Sequence, residues 1–208
     1  MKKDTLGLYG PEDSTYLRLV ERRAEEAGIK TAWVAGPTPG CAAYLADTEA
    51  GWPLWDLTDK EDVDNIQHPG LSCCAAGALK YASCVGDGTF CIIGRGHAVQ
   101  GLAERLEEMG VSVDQCSSAD LSIPYRAARA NVIVNSARAV APEVLKAVPK
   151  GAVVLDISGS MADLRGRRDC GYVSRGWIGG WNVTVLLTRV KDRMREATED
   201  DEPTGEHG

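Results

Sequence analysis

A strand that ends in glycines and leads into a helix can turn backbone N–H groups toward a phosphate. The run Phe90-Cys91-Ile92-Ile93, followed by Gly94-Arg95-Gly96-His97-Ala98-Val99-Gln100-Gly101, has that arrangement. Its glycines at 94, 96 and 101 depart from G-x-G-x-x-G, because Val99 stands in the third glycine's place. A tight strand-to-helix turn without a ligand fits the same spacing, so phosphate binding and simple turning both stay open. Arg95 bears on which nucleotide would bind. A guanidinium beside the first turn can pair with the 2′-phosphate of NADP, whereas NAD binding usually places a carboxylate at the end of the second strand. Asp114 lies near that end and keeps NAD possible, with Arg95 then a surface charge.

The other reactive side chains point to less chemistry. Seven cysteines, at 41, 73, 74, 84, 91, 116 and 170, form no C-x-x-C pair and are odd in number, which argues against a disulfide framework or a zinc site. Several sit in apolar runs, where a thiol packs as a small hydrophobe. His207 is in the tail, and His68 and His97 have no carboxylate or second histidine at ligand spacing, so no metal is expected.

These residues need elements to hold them. The chain of 208 residues is 44% apolar and 25% charged, the composition of a globular protein with room for one large domain or two small ones. Its 23 Lys and Arg against 30 Asp and Glu give a net charge of −7, which argues against a general nucleic-acid binder. No apolar run approaches the roughly 18 residues of a membrane span, and no secretory apolar segment follows the first residues; a cytoplasmic protein is expected.

Along the chain, Leu6 to Tyr9 reads as a strand, followed by a helix capped by Asp13 or Ser14 and ended by Gly28, with Leu17, Val20, Ala24 and Ala27 at helical spacing. Lys30 to Val34 is a second strand, and residues 35–59, rich in Gly and Pro, give no clear reading. A small-residue helix from Leu71 to Val85 leads to a turn at Gly86-Asp87-Gly88. After the Phe90–Ile93 strand and a helix to Met109 come strands at Val111–Val113, Val132–Val134 and Ala152–Ile157, with helices around Tyr125–Arg129 and from Pro142. A last helix spans about Val183–Ala197, and an acidic, disordered tail follows from Thr198. The alternation implies an α/β protein with a parallel sheet covered by helices on both faces.

Six segments, in order, resemble the bifunctional methylenetetrahydrofolate dehydrogenase/cyclohydrolase family. Ser14-Thr15-Tyr16-Leu17-Arg18, with Ala24 to Ile29, is similar to its first catalytic helix. Glu61-Asp62-Val63-Asp64-Asn65 resembles K-D-V-D-G, and Cys73-Cys74-Ala75-Ala76-Gly77 resembles C-T-P-x-G. Ile93 to Val99 is similar to G-R-S-x-x-V-G, Lys150 to Ile157 to P-G-A-V-V-I-D-V, and Gly179-Gly180-Trp181-Asn182-Val183-Thr184 to a shortened G-G-V-G-P-M-T.

The resemblance implies a Rossmann-type cofactor domain over residues 81–179 and a smaller, reduced α/β substrate-side domain from 1–80 with 180–197. It also implies a homodimer, NADP as cofactor and a folate as substrate. By position, Gly94, Arg95, Gly96, Val99 and Ser118 would hold the cofactor. Tyr16 would stack on the folate, Asp64 would bind its pterin, and Gly179-Gly180 would line the site; Tyr16 and Asp64 are the catalytic candidates. An aromatic face holds a flat heterocycle, and a carboxylate accepts paired N–H donors, so these roles suit the residue types.

The family's catalytic lysine, one helical turn after the tyrosine, is replaced by Val20, which can neither donate nor accept a proton. The cyclohydrolase step is therefore expected to be weak or lost. Ala75 replaces the proline of C-T-P, Gly96 the serine of G-R-S, and Trp52-Pro53-Leu54-Trp55 is at most a remnant of the family's L-P-L-P stretch. The chain also starts at what would be the family's first central strand. A non-catalytic folate- or nucleotide-binding protein on the same scaffold is the alternative.

Overall fold

The computed structural model describes residues 3–47, 56–82 and 88–199. The chain divides into two units, one of residues 1–69 with 183–208 and the other of residues 70–182. Trp52 to Trp55, the turn residues 86 and 87, Cys84 and the tail from 200 lie outside the described residues.

In the first unit, β1 (Thr5–Tyr9) lies between β2 (Lys30–Trp33) and β3 (Cys41–Ala46) in a parallel sheet of order β2-β1-β3. Leu6 and Leu8 are fully buried, as a central strand requires. Gly7 is needed for the pairing with β3: a Cβ there would come 2.4 Å from the Tyr44 ring on the neighbouring strand. Helix α1 (Thr15–Glu26) starts at Ser14, whose hydroxyl accepts a hydrogen bond from the Leu17 N–H and donates one to Asp47. It stops at Gly28 (φ 72°), where the Gly28 N–H bonds the Glu25 carbonyl and the Ile29 N–H bonds the Ala24 carbonyl, a Schellman end. Strand β3 falls within the stretch the sequence left unread. Its six residues are all buried, but its alanines have little strand propensity.

The second unit carries a five-stranded, all-parallel sheet of order β5-β4-β6-β7-β8. The strands are β4 (Thr89–Ile93), β5 (Ser112–Cys116), β6 (Val132–Asn135), β7 (Val153–Asp156) and β8 (Gly171–Val173). One sheet face buries Phe90, Ile92, Val132, Val134 and Leu155 against α2 (Cys73–Ala82) and α3 (Leu102–Glu108). The other buries Cys91, Ile93, Ile133 and Val154 against α4 (Ile123–Ala127) and α5 (Pro142–Ala147). Because Ala75 and Ala78 of α2 pack in this core, the unit begins at Gly70, earlier than the expected boundary at residue 81.

Three expectations are corrected. A 3-10 turn (His97–Val99) separates the Gly94 turn from α3, whose N-cap is Gly101. Strand β8 was not foreseen, being only three residues long. The final helix, α6, spans Arg175–Glu199, so it starts eight residues before Val183 and takes in Thr198, assigned to the tail. Its residues up to Asn182 belong to the second unit and those from Val183 to the first. Among the described residues, no helix is long and apolar enough to cross a membrane.

Candidate functional site

The strand order of the second sheet reverses direction between β4 and β6, and in open α/β sheets ligands bind beyond the strand ends at such a point. A cleft of about 350 Å³ lies there, within the range of ligand pockets. Gly94, Arg95 and Gly96 from the β4 turn line it, with Ser118 after β5 and residues Ser136 to Ala139 after β6. Four of the five sequence-predicted cofactor residues are thus brought together. Val99, the fifth, is 1% exposed in the core, where it anchors the turn instead.

Gly94 cannot be another residue without displacing the cleft wall. Its φ is 117°, and a Cβ would stand 2.1 Å from the Ser136 hydroxyl. The Gly94 N–H donates to the Cys116 carbonyl at 2.9 Å, and Gln115 Nε2 donates to the Gly94 carbonyl at 3.0 Å. Ser136 donates both its N–H (2.9 Å) and its hydroxyl (3.1 Å) to the Ile93 carbonyl. Gly101 serves close packing instead, since its φ is 73° and a Cβ would meet the Gly70 carbonyl at 2.7 Å.

Arg95 and Arg138 are both exposed, and no carboxylate is among the lining residues. Arg95 Nη2 rests on the Gln115 carbonyl at 3.3 Å, so the guanidinium lies over the end of β5. Asp114 is ion-paired with Arg126 of α4 and sits in register with Cys91, two residues short of the β5 end. Cys91 and Cys116 are buried core thiols. A hydrogen bond that the Cys91 thiol donates to Cys116, with burial, holds Cys91 well above its usual value, and Cys116 donates to the Ile92 carbonyl at 3.6 Å. Further along the sheet, burial and the neighbouring Asp156 raise the Tyr172 hydroxyl above the ordinary phenol value.

In the first unit, Tyr16 is half-buried on α1 and Val20 is fully buried on its core face with Leu17 and Ala24. Asp64 is 5% exposed, a buried carboxylate rather than a solvated one. The turn it occupies is organised by Asp62. One Asp62 oxygen accepts from the Ile66 N–H (2.7 Å), and the other from the Gln67 N–H (2.7 Å), the His68 N–H (3.1 Å) and His68 Nδ1 (3.1 Å). His68 Nε2 also approaches Asp59 at 3.1 Å. His68 therefore does have carboxylate neighbours, contrary to the spacing argument, because the turn folds Asp59 and Asp62 back onto it. Asn65 takes φ 53°, a left-handed conformation that Asn tolerates, and Arg189 of α6 donates to the Val63 carbonyl at 3.0 Å. No group of three or more potential ligands suited to a metal occurs among the described residues. Gly179 and Gly180 lie inside α6, not in a loop ahead of it, and a Cβ at either would meet open space.

No protein-family model and no curated protein matches the sequence. Solved structures match the fold. The bifunctional FolD methylenetetrahydrofolate dehydrogenase/cyclohydrolase from Campylobacter jejuni is similar with a TM-score of 0.71 at 17% identity, over 93% of this chain and 89% of that one. The FolD dehydrogenase-cyclohydrolase from Trypanosoma brucei, complexed with NADP cofactor and inhibitor, gives 0.70 at 18% identity, over 93% and 86%. This chain has the FolD fold. Shikimate 5-dehydrogenase from Thermus thermophilus, in complex with NADP(H) and shikimate, is also similar, with a TM-score of 0.54 at 14% identity over 93% and 99%. One fold therefore accommodates unlike substrates, and the site must decide among them.

Within this FolD fold, sequence reasoning missed Ser136 and Arg138. Their signal was their place: the first residues after β6, the strand beside the glycine-ended one, face the same cleft in a sheet of this order. It also missed Asp62, whose role depends on four donors spread over residues 66–68.

Proposed function

We propose that this protein oxidises 5,10-methylenetetrahydrofolate to 5,10-methenyltetrahydrofolate with NADP, its cyclohydrolase step being weak or lost. The observation that carries the reading is the cleft at the strand-order reversal, where Arg95, Arg138 and Ser118 meet without a carboxylate. That set fits a polyanionic nucleotide. Arg95 is assigned to the 2′-phosphate, which only NADP carries, and Arg138 to the remaining phosphate charge. NAD fits less well, because Asp114, the residue that would hold its ribose, is committed to Arg126.

NADP, when bound, supplies the hydride acceptor. The hydride leaves the methylene carbon with both electrons of its C–H bond, and the cationic methenyl bridge that remains needs no side-chain acid or base. What the chain must supply is then orientation. Arg95, Ser118 and Arg138 hold one reactant, while Tyr16 is assigned to stack on the folate and Asp64 to accept from its pterin ring. Gly179 and Gly180 contribute a helix face bare of side chains. Hydrolysis of the methenyl bridge differs, since the attacking water must lose a proton. Val20, buried and apolar, cannot take it.

The same burial favours a second reading, a non-catalytic binding protein that keeps the nucleotide cleft. Mixing the protein with methylenetetrahydrofolate and NADP and following NADPH and methenyl absorbance separates the two. Turnover is expected, and its absence at saturating ligand sinks the enzyme reading. Titration calorimetry then decides what is left: binding of NADP or a folate supports the second reading, and binding of neither removes both. A homodimer is part of the proposal, and sedimentation of the purified chain tests it.

A further inference from the structure

We propose that Asp156 is the positioning residue of the nucleotide cleft, acting through Asn135 and Ser160 on the backbone of Ala137. This rests on reading the cleft as a nucleotide site. Asp156 ends β7 and is fully buried. Its Oδ1 accepts hydrogen bonds from Asn135 Nδ2 (2.9 Å), the Gly159 N–H (3.0 Å) and the Ser158 hydroxyl (3.3 Å). Its Oδ2 accepts from the Tyr172 hydroxyl (2.7 Å) and the Met161 N–H (2.9 Å). All these partners donate, so an acceptor-only carboxylate satisfies them; an amide would turn its NH2 against donors in either orientation.

The carboxylate controls what lies one step away. Asn135 is also fully buried, and its Nδ2 faces Asp156 and the hydroxyls of Ser158 (3.0 Å) and Ser160 (2.9 Å). That fixes the amide's orientation, leaving Oδ1 to accept from the Ala137 N–H at 3.1 Å. The Ser160 hydroxyl donates to the Ala137 carbonyl at 2.7 Å. Ala137 is therefore gripped at both its N–H and its C=O, between Ser136 and Arg138, and all three line the cleft. The direction in which Arg138 leaves the chain, and the seat of Ser136 against Gly94, are set by a carboxylate that is not itself in the lining. Such a network orders the loop during folding, so binding need not order it again.

Ser160→Ala releases the Ala137 carbonyl and keeps every donor to Asp156, whereas Asp156→Asn disturbs the source. Calorimetric titration with NADP on the full chain is expected to show Kd raised about tenfold in Ser160→Ala, the size of one lost hydrogen bond, and more in Asp156→Asn. Ser160→Thr, which restores a hydroxyl, is expected to recover binding. In turnover the loss falls on KM for NADP more than on kcat. A purely structural role would instead lower Tm and leave Kd of the folded protein unchanged, and that result overturns the proposal. Should Asp156→Asn fail to fold, Ser160→Ala and its threonine rescue carry the test. Amide exchange at residues 136–138, read without ligand, keeps the two ideas apart. Wild-type protein that ignores NADP removes the nucleotide reading, while unchanged protection of Ala137 in Ser160→Ala removes the positioning role.

Discussion

The β4–β6 cleft of the second unit and the Asp62 turn with α1 of the first unit each use buried polar side chains to hold a loop, but differ in what they leave exposed. Around the cleft, the polar side chains of Gln115, Asn135, Ser136 and Ser160 hold the loop backbone and leave Arg95, Ser118 and Arg138 exposed. In the first unit, Asp62 spends its carboxylate on its own turn, and the position where the resemblance places a lysine is a buried valine. The difference teaches which half kept its chemistry in reach of solvent. Polar groups committed to folding are not free for a substrate, whatever motif they fall in.

Substitutions in each region sharpen that contrast. The largest effect is expected from Gly94→Ala, which forces a Cβ against the Ser136 hydroxyl in a backbone conformation that L residues avoid. NADP binding should weaken at least a hundredfold, about 3 kcal/mol by the usual scale of such strain, as read by calorimetry. Next is Asp62→Ala, which leaves the Ile66, Gln67 and His68 N–H groups without their acceptor. A stability loss of about 2–3 kcal/mol in denaturant melts is expected, with NADP affinity unchanged. Loss of NADP affinity instead would break the division between a folding carboxylate and a binding cleft. A smaller effect separates the nucleotides. Arg95→Ala should weaken NADP about tenfold and leave NAD nearly untouched, because only the 2′-phosphate charge loses its partner.

How much of this was legible depends on where each signal is stored. The glycine-ended strand, the Ser14 cap, the Gly28 stop and the alternation that makes a parallel sheet are local patterns, and sequence displays them. The cluster of Gly94, Arg95, Gly96 and Ser118 was legible because adjacent parallel strands bring their C-terminal loops together. The burial of Val99 was not legible because a position in a motif does not reveal which way a 3-10 turn points a side chain. Strand β3 was hidden because burial, not propensity, makes Cys41 to Ala46 a strand. Asp62, Ser136 and Arg138 were passed over because their roles exist only once distant donors or a neighbouring strand are in place.

The two glycine regions offer the finest test of the comparison, because the same substitution should have opposite signs. Gly179 sits within α6 with open space where a Cβ would go. In a helix interior, alanine is favoured over glycine by about 0.8–1.0 kcal/mol, largely through the entropy that glycine loses on folding. Gly179→Ala should therefore raise stability by up to about 1 kcal/mol in denaturant melts, where Gly94→Ala destroys its turn. Turnover with methylenetetrahydrofolate reads the second half of the same experiment. If the bare helix face is needed to admit the substrate, a single methyl should raise KM for the folate while leaving NADP binding alone. If stability rises and the folate KM does not move, Gly179 is only a helical glycine, and the substrate-side assignment narrows to Tyr16 and Asp64.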